Sequence, residues 1–98
     1  HKSYLGAKLY YNVGQYKAAI VALKNSLIDY PDSEYREEIL YLVTKSTYLR
    51  AQNSIESKQK ERFQKSIDEY YSFVAEFPDS KYRKEMDGFF KVAQKAVK

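Results

Sequence analysis

A ten-residue phrase occurs twice in this sequence, and it limits the available folds more than any other feature. The first copy covers residues 30–39 and the second covers residues 77–86, an offset of 47 positions. Six of the ten positions are identical, namely Pro, Asp, Ser, Tyr, Arg and the second Glu. Internal periods of about 20 to 50 residues are typical of repeat arrays, in which each unit buries its apolar face against a neighbour. The sequence therefore predicts a stack of similar units.

Each copy of the phrase contains signals that end one helix and begin the next. A residue that precedes proline is pushed out of the α region, so a helix is expected to end before Pro31 and before its counterpart in the second copy. Asp32 and Ser33 are good N-cap candidates for the following helix. We expect Arg36 and Arg83 to tie adjacent hairpins through a carboxylate or a helix C-terminal carbonyl. The phrase is thus interpreted as the joint between stacked hairpins.

The remaining pattern of the chain is helical. Only three Gly and two Pro occur among 98 residues, which favours long helices over a fold with many turns. In no segment do apolar and polar residues alternate over a length that would predict a strand. Apolar spacings of three and four predict an all-α fold of about five helices and no strands, at residues 2–13, 15–29, 34–52, 58–77 and 81–97. We expect one repeat domain over residues 1–98, composed of a first hairpin (2–31), a lengthened second hairpin (34–78) and a final helix (81–97).

The apolar positions define the expected core. In the first helix Leu5, Leu9 and Val13 recur every four residues, with Ala7 and Tyr10 beside them. Gly14 follows at the position where a helix end requires a positive φ. The third helix is apolar on two sides, which predicts that it packs between neighbours. The expected core positions of the fourth and fifth helices are Phe63, Ser66, Ile67, Tyr70, Tyr71, Val74 and Phe77, then Tyr82, Met86, Phe89, Phe90 and either Val92 or Ala93.

Several functional classes find no support in the residues present. The single His, at position 1, cannot build a catalytic arrangement with Ser or Cys, and no Gly-rich phosphate loop or metal-ligand spacing occurs. We therefore predict no enzymatic activity and no cofactor. Cys is absent, so the chain has no disulfides and no thiolate metal ligands. The longest apolar run is six residues, Ala18–Leu23, which is far shorter than the roughly 20 residues that span a bilayer.

The charge pattern does not favour nucleic acid. The formal net charge of +4 is scattered rather than clustered on one face. Residues 58–65 hold four basic residues and one Glu, which is either a solvated helix start or a patch for an acidic partner.

The first hairpin resembles the tetratricopeptide repeat. The matching positions are Ala7, Tyr10, Gly14, Tyr16, Ala19, Leu23, Ser26 and Pro31. The resemblance implies stacked helical hairpins that form a right-handed superhelix. The second unit departs from the pattern, because it is 13 residues longer than the usual repeat and its hairpin turn lacks Gly.

The lengthened second unit resembles one particular family of tetratricopeptide proteins. The stretch from Ala51 through Phe63 to Ser80 is similar to that of the BamD family, lipoproteins of the outer-membrane β-barrel assembly machinery. The family's lipidated N-terminal Cys and several of its repeats are absent, so the chain looks like a portion of such a protein. The resemblance implies an adaptor on the periplasmic face of the outer membrane of a Gram-negative cell, anchored by lipid. Its implied partners are barrel-assembly subunits and unfolded outer-membrane proteins.

The resemblance also implies a groove for extended peptides, lined by one side of the first helix of each hairpin. The groove residues carried over by position are Tyr4, Lys8, Tyr11, Asn12, Thr47 and Arg50. An alternative is that Tyr4 and Tyr11 pack on a preceding repeat. The alternative function is a generic tetratricopeptide module that binds a terminal peptide in another complex. Dimerisation through an exposed end of so short an array is a further expectation.

Overall fold

The computed structural model describes residues 2–98, which form five α-helices joined by short turns. The helices are α1 (Lys2–Asn12), α2 (Tyr16–Asp29), α3 (Arg36–Gln52), α4 (Glu56–Glu76) and α5 (Arg83–Ala96). Over these residues the prediction of an all-α, tetratricopeptide-like fold without strands is confirmed. Helices α3 and α5 begin two residues later than predicted, and α4 begins two residues earlier. His1 lies outside the described residues.

Gly14 makes the turn between α1 and α2. Its φ is +80°, as the sequence predicted, and glycine adopts this conformation without the steric cost of a side chain. The Gly14 N–H donates to the Tyr11 carbonyl at 3.1 Å, and the Gln15 N–H donates to the Tyr10 carbonyl at 2.9 Å. These bonds satisfy carbonyls that the end of α1 leaves without helical partners. The chain therefore reverses tightly, and α2 packs back on α1.

Each copy of the repeated phrase forms the same serine-closed turn. The Ser33 Oγ accepts a hydrogen bond from the Tyr35 N–H at 3.1 Å, and the Ser80 Oγ accepts one from the Tyr82 N–H at 3.1 Å. The prediction that Asp32 and Ser33 cap α3 directly is wrong, because α3 begins at Arg36 and its N-cap residue, Tyr35, has no side-chain cap. Serine instead shapes the turn that leads into the helix.

The arginine of each copy binds the backbone of its own turn. Arg36 Nη1 donates to the Pro31 carbonyl at 3.2 Å, and Arg83 Nη1 donates to the Pro78 carbonyl at 2.9 Å. These contacts are local to each turn, so, contrary to the prediction, they do not tie one hairpin to the next. Arg36 also pairs through both Nε and Nη2 with the carboxylate of Glu76. That ion pair ties the start of α3 to the end of α4, so it closes one hairpin rather than joining two.

Helix α3 is the centre of the molecule, since it packs against all four other helices. Its two apolar sides are both buried, which confirms the predicted position between neighbours. One core cluster joins α3 to α1, α2, α4 and α5 through Ile39, Leu42, Val43, Tyr4, Ala7, Leu23, Phe73 and Met86, among others. A second cluster lies around the far end of α3 and consists of Tyr48, Ala51, Phe63, Ile67 and Ala93.

The buried side of α1 differs from the prediction. The side chains expected in the core are exposed, at 61% for Leu5, 61% for Leu9, 62% for Val13 and 47% for Tyr10. Ala7 is buried as predicted, and Tyr4, which the apolar pattern omitted, is buried beside it. Both sides of α1 are apolar, so helical spacing alone permits either to face the core. The Tyr4 side prevails because a stacked aromatic ring buries more area than a leucine and its hydroxyl finds a partner there.

Two further positions depart from the expected core. Tyr71 is 56% exposed, whereas Phe73, which the pattern omitted, is fully buried. On α5 the choice between Val92 and Ala93 falls on Ala93, and Val92 is exposed. Phe73 belongs to the first core cluster and Ala93 to the second. Ser66, predicted as the small residue of α4, is buried as expected.

Candidate partner-binding surfaces

Two tyrosine stacks connect successive odd-numbered helices. The ring of Tyr4 on α1 stacks on Tyr35 at the start of α3, with centroids 4.9 Å apart and planes at 15°. The ring of Tyr41 on α3 stacks on Tyr82 at the start of α5, with centroids 3.9 Å apart and planes at 8°. The same contact is therefore made twice along the array.

An ion pair accompanies each stack. Four residues after the first tyrosine, Lys8 Nζ lies 3.3 Å from Glu38 Oε1, and Lys45 Nζ lies 3.0 Å from Glu85 Oε2. The Tyr41 hydroxyl also donates to Glu85 Oε1 at 2.7 Å. We call each set of two tyrosines, a lysine and a glutamate a rung. The first rung is Tyr4, Lys8, Tyr35 and Glu38, and the second is Tyr41, Lys45, Tyr82 and Glu85.

The rungs perturb the pKa values of their members. Burial raises the pKa of the Tyr41 hydroxyl to about 12, and the nearby Glu85 carboxylate adds to the effect. A hydrogen bond from Tyr4 lowers the pKa of Glu38, and Lys8 lowers it further. For Glu85 burial acts to raise the pKa, but the hydrogen bonds from Tyr41 and Lys45 outweigh it and the pKa is lowered. Both glutamates are thus held as carboxylates near neutral pH.

Lys45 connects the second rung to α1 through Tyr11. Its Nζ lies 5.9 Å from the centre of the Tyr11 ring and 5.6 Å from that of Tyr41, so α1 and α3 share a cation–π contact. Lys45 was not among the residues predicted from the sequence. The available signal was the pair Tyr41 and Lys45, which repeats the i, i+4 spacing of Tyr4 and Lys8 at an offset of 37 residues.

The structure separates the predicted groove residues into two groups. On α1, Lys8 and Tyr11 are half-buried and Asn12 is exposed. Tyr4 belongs to the same side but is only 3% exposed, so it supports this surface from beneath. The second group, on α3, does not adjoin the first.

Thr47 and Arg50 face away from Lys45. They follow Lys45 by two and five positions, which turns them by about 200° and about 140° around the helix. Thr47 is buried, and its hydroxyl donates to the Val43 carbonyl at 2.7 Å. Arg50 lies beside the turn into α4, where its carbonyl accepts a bond from Ser54 Oγ at 2.5 Å.

The outer side of the first hairpin forms an exposed apolar surface, which we call the end face. Its side chains are Leu5, Leu9, Tyr10, Val13 and Val21. Tyr10 and Val21 also line a shallow groove, together with Ala18 and Ala22 of α2. Apolar groups concentrated in this way mark interaction sites more often than isolated exposed leucines do.

The end face corresponds to a buried surface elsewhere in the array. The 37-residue offset of the rungs aligns Leu5 with Leu42 and Leu9 with Ser46, both of which α3 buries. Helix α3 packs against the first hairpin, while α1 leaves the equivalent positions exposed. The end face is therefore built like a stacking surface.

Taken together, the helical hairpins, the repeated joint and the rungs define a tetratricopeptide-like protein. No helix within residues 2–98 is long and apolar enough to cross a membrane. The model of the YfiO family, described as an outer membrane lipoprotein, matches residues 3–96. The chain belongs to this BamD-like family of outer membrane lipoproteins, and the resemblance seen in the sequence is confirmed. Comparison with individual curated proteins gives no match.

Proposed function

We propose that the chain is a non-catalytic protein-interaction scaffold of the outer-membrane β-barrel assembly machinery, acting at the periplasmic face of the membrane. Membership of an outer membrane lipoprotein family supports the location. The docking role is supported by the exposure of the end face, because Leu5, Leu9 and Val13 each have more than half of their surface in solvent. Leaving three aliphatic side chains in water is unfavourable by roughly 1 kcal/mol or more each, and a partner with its own apolar surface recovers that energy.

The groove side of α1 is proposed as a second contact surface. Tyr11 offers a ring, Asn12 offers an amide that both donates and accepts, and Lys8 offers an ammonium already oriented by Glu38. These groups suit the backbone and aromatic side chains of an extended segment, such as a strand of an unfolded outer-membrane protein. The assignment of Thr47 and Arg50 to a partner-binding groove stays a prediction.

Site-specific photocrosslinking tests both surfaces. The photoreactive residue p-benzoylphenylalanine replaces Leu9 on the end face, Tyr11 on the groove side or, as a control, Ser72 on the exposed side of α4. The purified proteins are irradiated with the soluble domains of the barrel-forming subunit, and separately with a denaturant-diluted outer-membrane protein.

We expect adducts with the folded domains from position 9 and with the unfolded protein from position 11. Adducts of equal yield from position 72, or none from either test position, would contradict the proposed scaffold. A third sample contains an unrelated terminal peptide, and adducts formed only with that peptide would instead favour a generic tetratricopeptide module.

A further inference from the structure

The solvent side of α5 carries a row of three lysines. Lys84, Lys91 and Lys95 fall within about 40° of one another around the helix and extend over about 16 Å. All three are exposed, and none forms an ion pair with any residue of the described chain. We call these three residues the lysine ridge.

Asp87, the carboxylate beside the ridge on α5, is hydrogen-bonded to groups outside the ridge. Asp87 lies about 40° around the helix from Lys91. It accepts hydrogen bonds from Arg83 Nε at 2.9 Å and from the Tyr70 hydroxyl at 2.5 Å. These two bonds, and more weakly the charge of Lys91, lower the pKa of Asp87. Its charge is thus committed to the α4–α5 contact, and the ridge remains positive.

Comparison with α3 shows what the ridge replaces. At the 47-residue offset, Lys91 and Lys95 correspond to Thr44 and Tyr48, which α3 buries. The Tyr48 ring stacks on Phe89 of α5, with centroids 4.4 Å apart. On α3 these positions therefore belong to the surface that carries the next helix.

The rung is also missing from α5. Its tyrosine and lysine, Tyr41 and Lys45 on α3, correspond to Gly88 and Val92 on α5, and both of these are exposed. Neither can stack on an aromatic ring or pair with a glutamate. The solvent side of α5 therefore lacks the contacts by which one helical unit of this array receives another.

Unpaired lysines exclude apolar partners from this surface. Removing an ammonium group from water costs several kcal/mol unless a carboxylate compensates it, so the occupant must supply negative charge along the ridge. A membrane is a poor fit, because interfacial helices insert a broad apolar side. The apolar side of α5, with Met86 and Ala93 at its centre, is already buried in the stack.

We propose that the lysine ridge docks an acidic protein segment, with carboxylates spaced to meet lysines seven and four residues apart. The segment lies along α5 and contacts the ridge by charge pairing rather than by apolar burial. This inference goes beyond the scaffold role, because it rests on residues that neither the end face nor the groove uses.

Fluorescence anisotropy with matched peptides tests the proposal. The probe is a labelled helical peptide whose Glu residues recur at spacings of three and four, and its control carries Gln at the same positions. The ridge variant is K84Q/K91Q/K95Q. The control variant, K17Q/K24Q/K81Q, removes the same number of exposed lysines outside both the ridge and residues 58–65. Circular dichroism checks that both variants remain folded.

We expect the ridge variant to weaken binding of the Glu peptide at low salt by about tenfold or more, and the control variant by less than about threefold. High salt weakens binding of the unmodified chain because the contact is electrostatic. Equal losses in the two variants would overturn the proposal, since net charge alone would then explain binding. So would failure to bind the Glu peptide together with ridge-dependent sedimentation on anionic phospholipid vesicles.

Discussion

The second rung offers the sharpest test of how the hairpins are held together. The perturbation is Tyr41→Ala, which removes the ring stacked on Tyr82 and the hydroxyl that donates to Glu85. Tyr41 is buried at the α3–α5 contact, so no other side chain of the rung can take its place. Tyr41→Phe separates the two contributions by keeping the ring.

The expected magnitudes follow from burial and exposure. Truncating a buried aromatic side chain costs about 3–5 kcal/mol in free energy of unfolding. Losing the hydroxyl alone costs about 1 kcal/mol, because the Glu85 side chain is 42% exposed and water replaces the lost donor. A domain of this length has a total stability of about 5–15 kcal/mol, so the alanine variant loses a large share of it.

Urea denaturation followed by circular dichroism measures these differences, with the midpoint and slope fitted together. Tyr71→Ala is the matched control, because it makes the same chemical change at an exposed position of α4. We expect it to cost less than about 1 kcal/mol. A Tyr41→Ala variant no less stable than Tyr71→Ala would refute the argument that the rung holds α5 on α3.

Three further predictions address other parts of the molecule. The pKa of the Glu38 carboxyl lies below its ordinary 4.5, so the stability that the carboxylate contributes is present above pH 4.5 and is lost as the pH falls through the lowered pKa. In urea denaturation, the loss of unfolding free energy caused by Glu38→Gln should therefore shrink below pH 4.5. A loss that does not change with pH would contradict this. Gly14→Ala forces an alanine to a φ of +80° and should destabilise by about 1–2 kcal/mol, whereas Gly88→Ala, in an open helical position, should stabilise by up to about 1 kcal/mol in the same assay. Leu9→Lys should change the unfolding free energy by less than about 0.5 kcal/mol, because the side chain is exposed and lysine suits the end of a helix. The same variant should reduce any concentration-dependent mass in light scattering, and unchanged self-association would remove the end face as its cause.

Local signals determined most of the architecture. The doubled phrase located both joints between helical units, since proline restricts the residue before it whatever the tertiary context. Gly14 was identified as a positive-φ turn because only glycine adopts that conformation readily. The two-sided apolar pattern of α3 placed it between neighbours, and the lengthened second unit pointed to the family. Each of these inferences depends on residues close together in the chain.

Only the tertiary structure decided which side of α1 enters the core and which groups form the rungs. Helix α1 is apolar on both sides, and the choice between them depends on Tyr35, which lies 31 positions from its stacking partner Tyr4. Lys45 likewise acquires its role from Tyr11 and Glu85, which belong to other helices. Helical periodicity specifies which residues share a side, but burial is decided by the surface that the side meets. That surface exists only once the chain has folded.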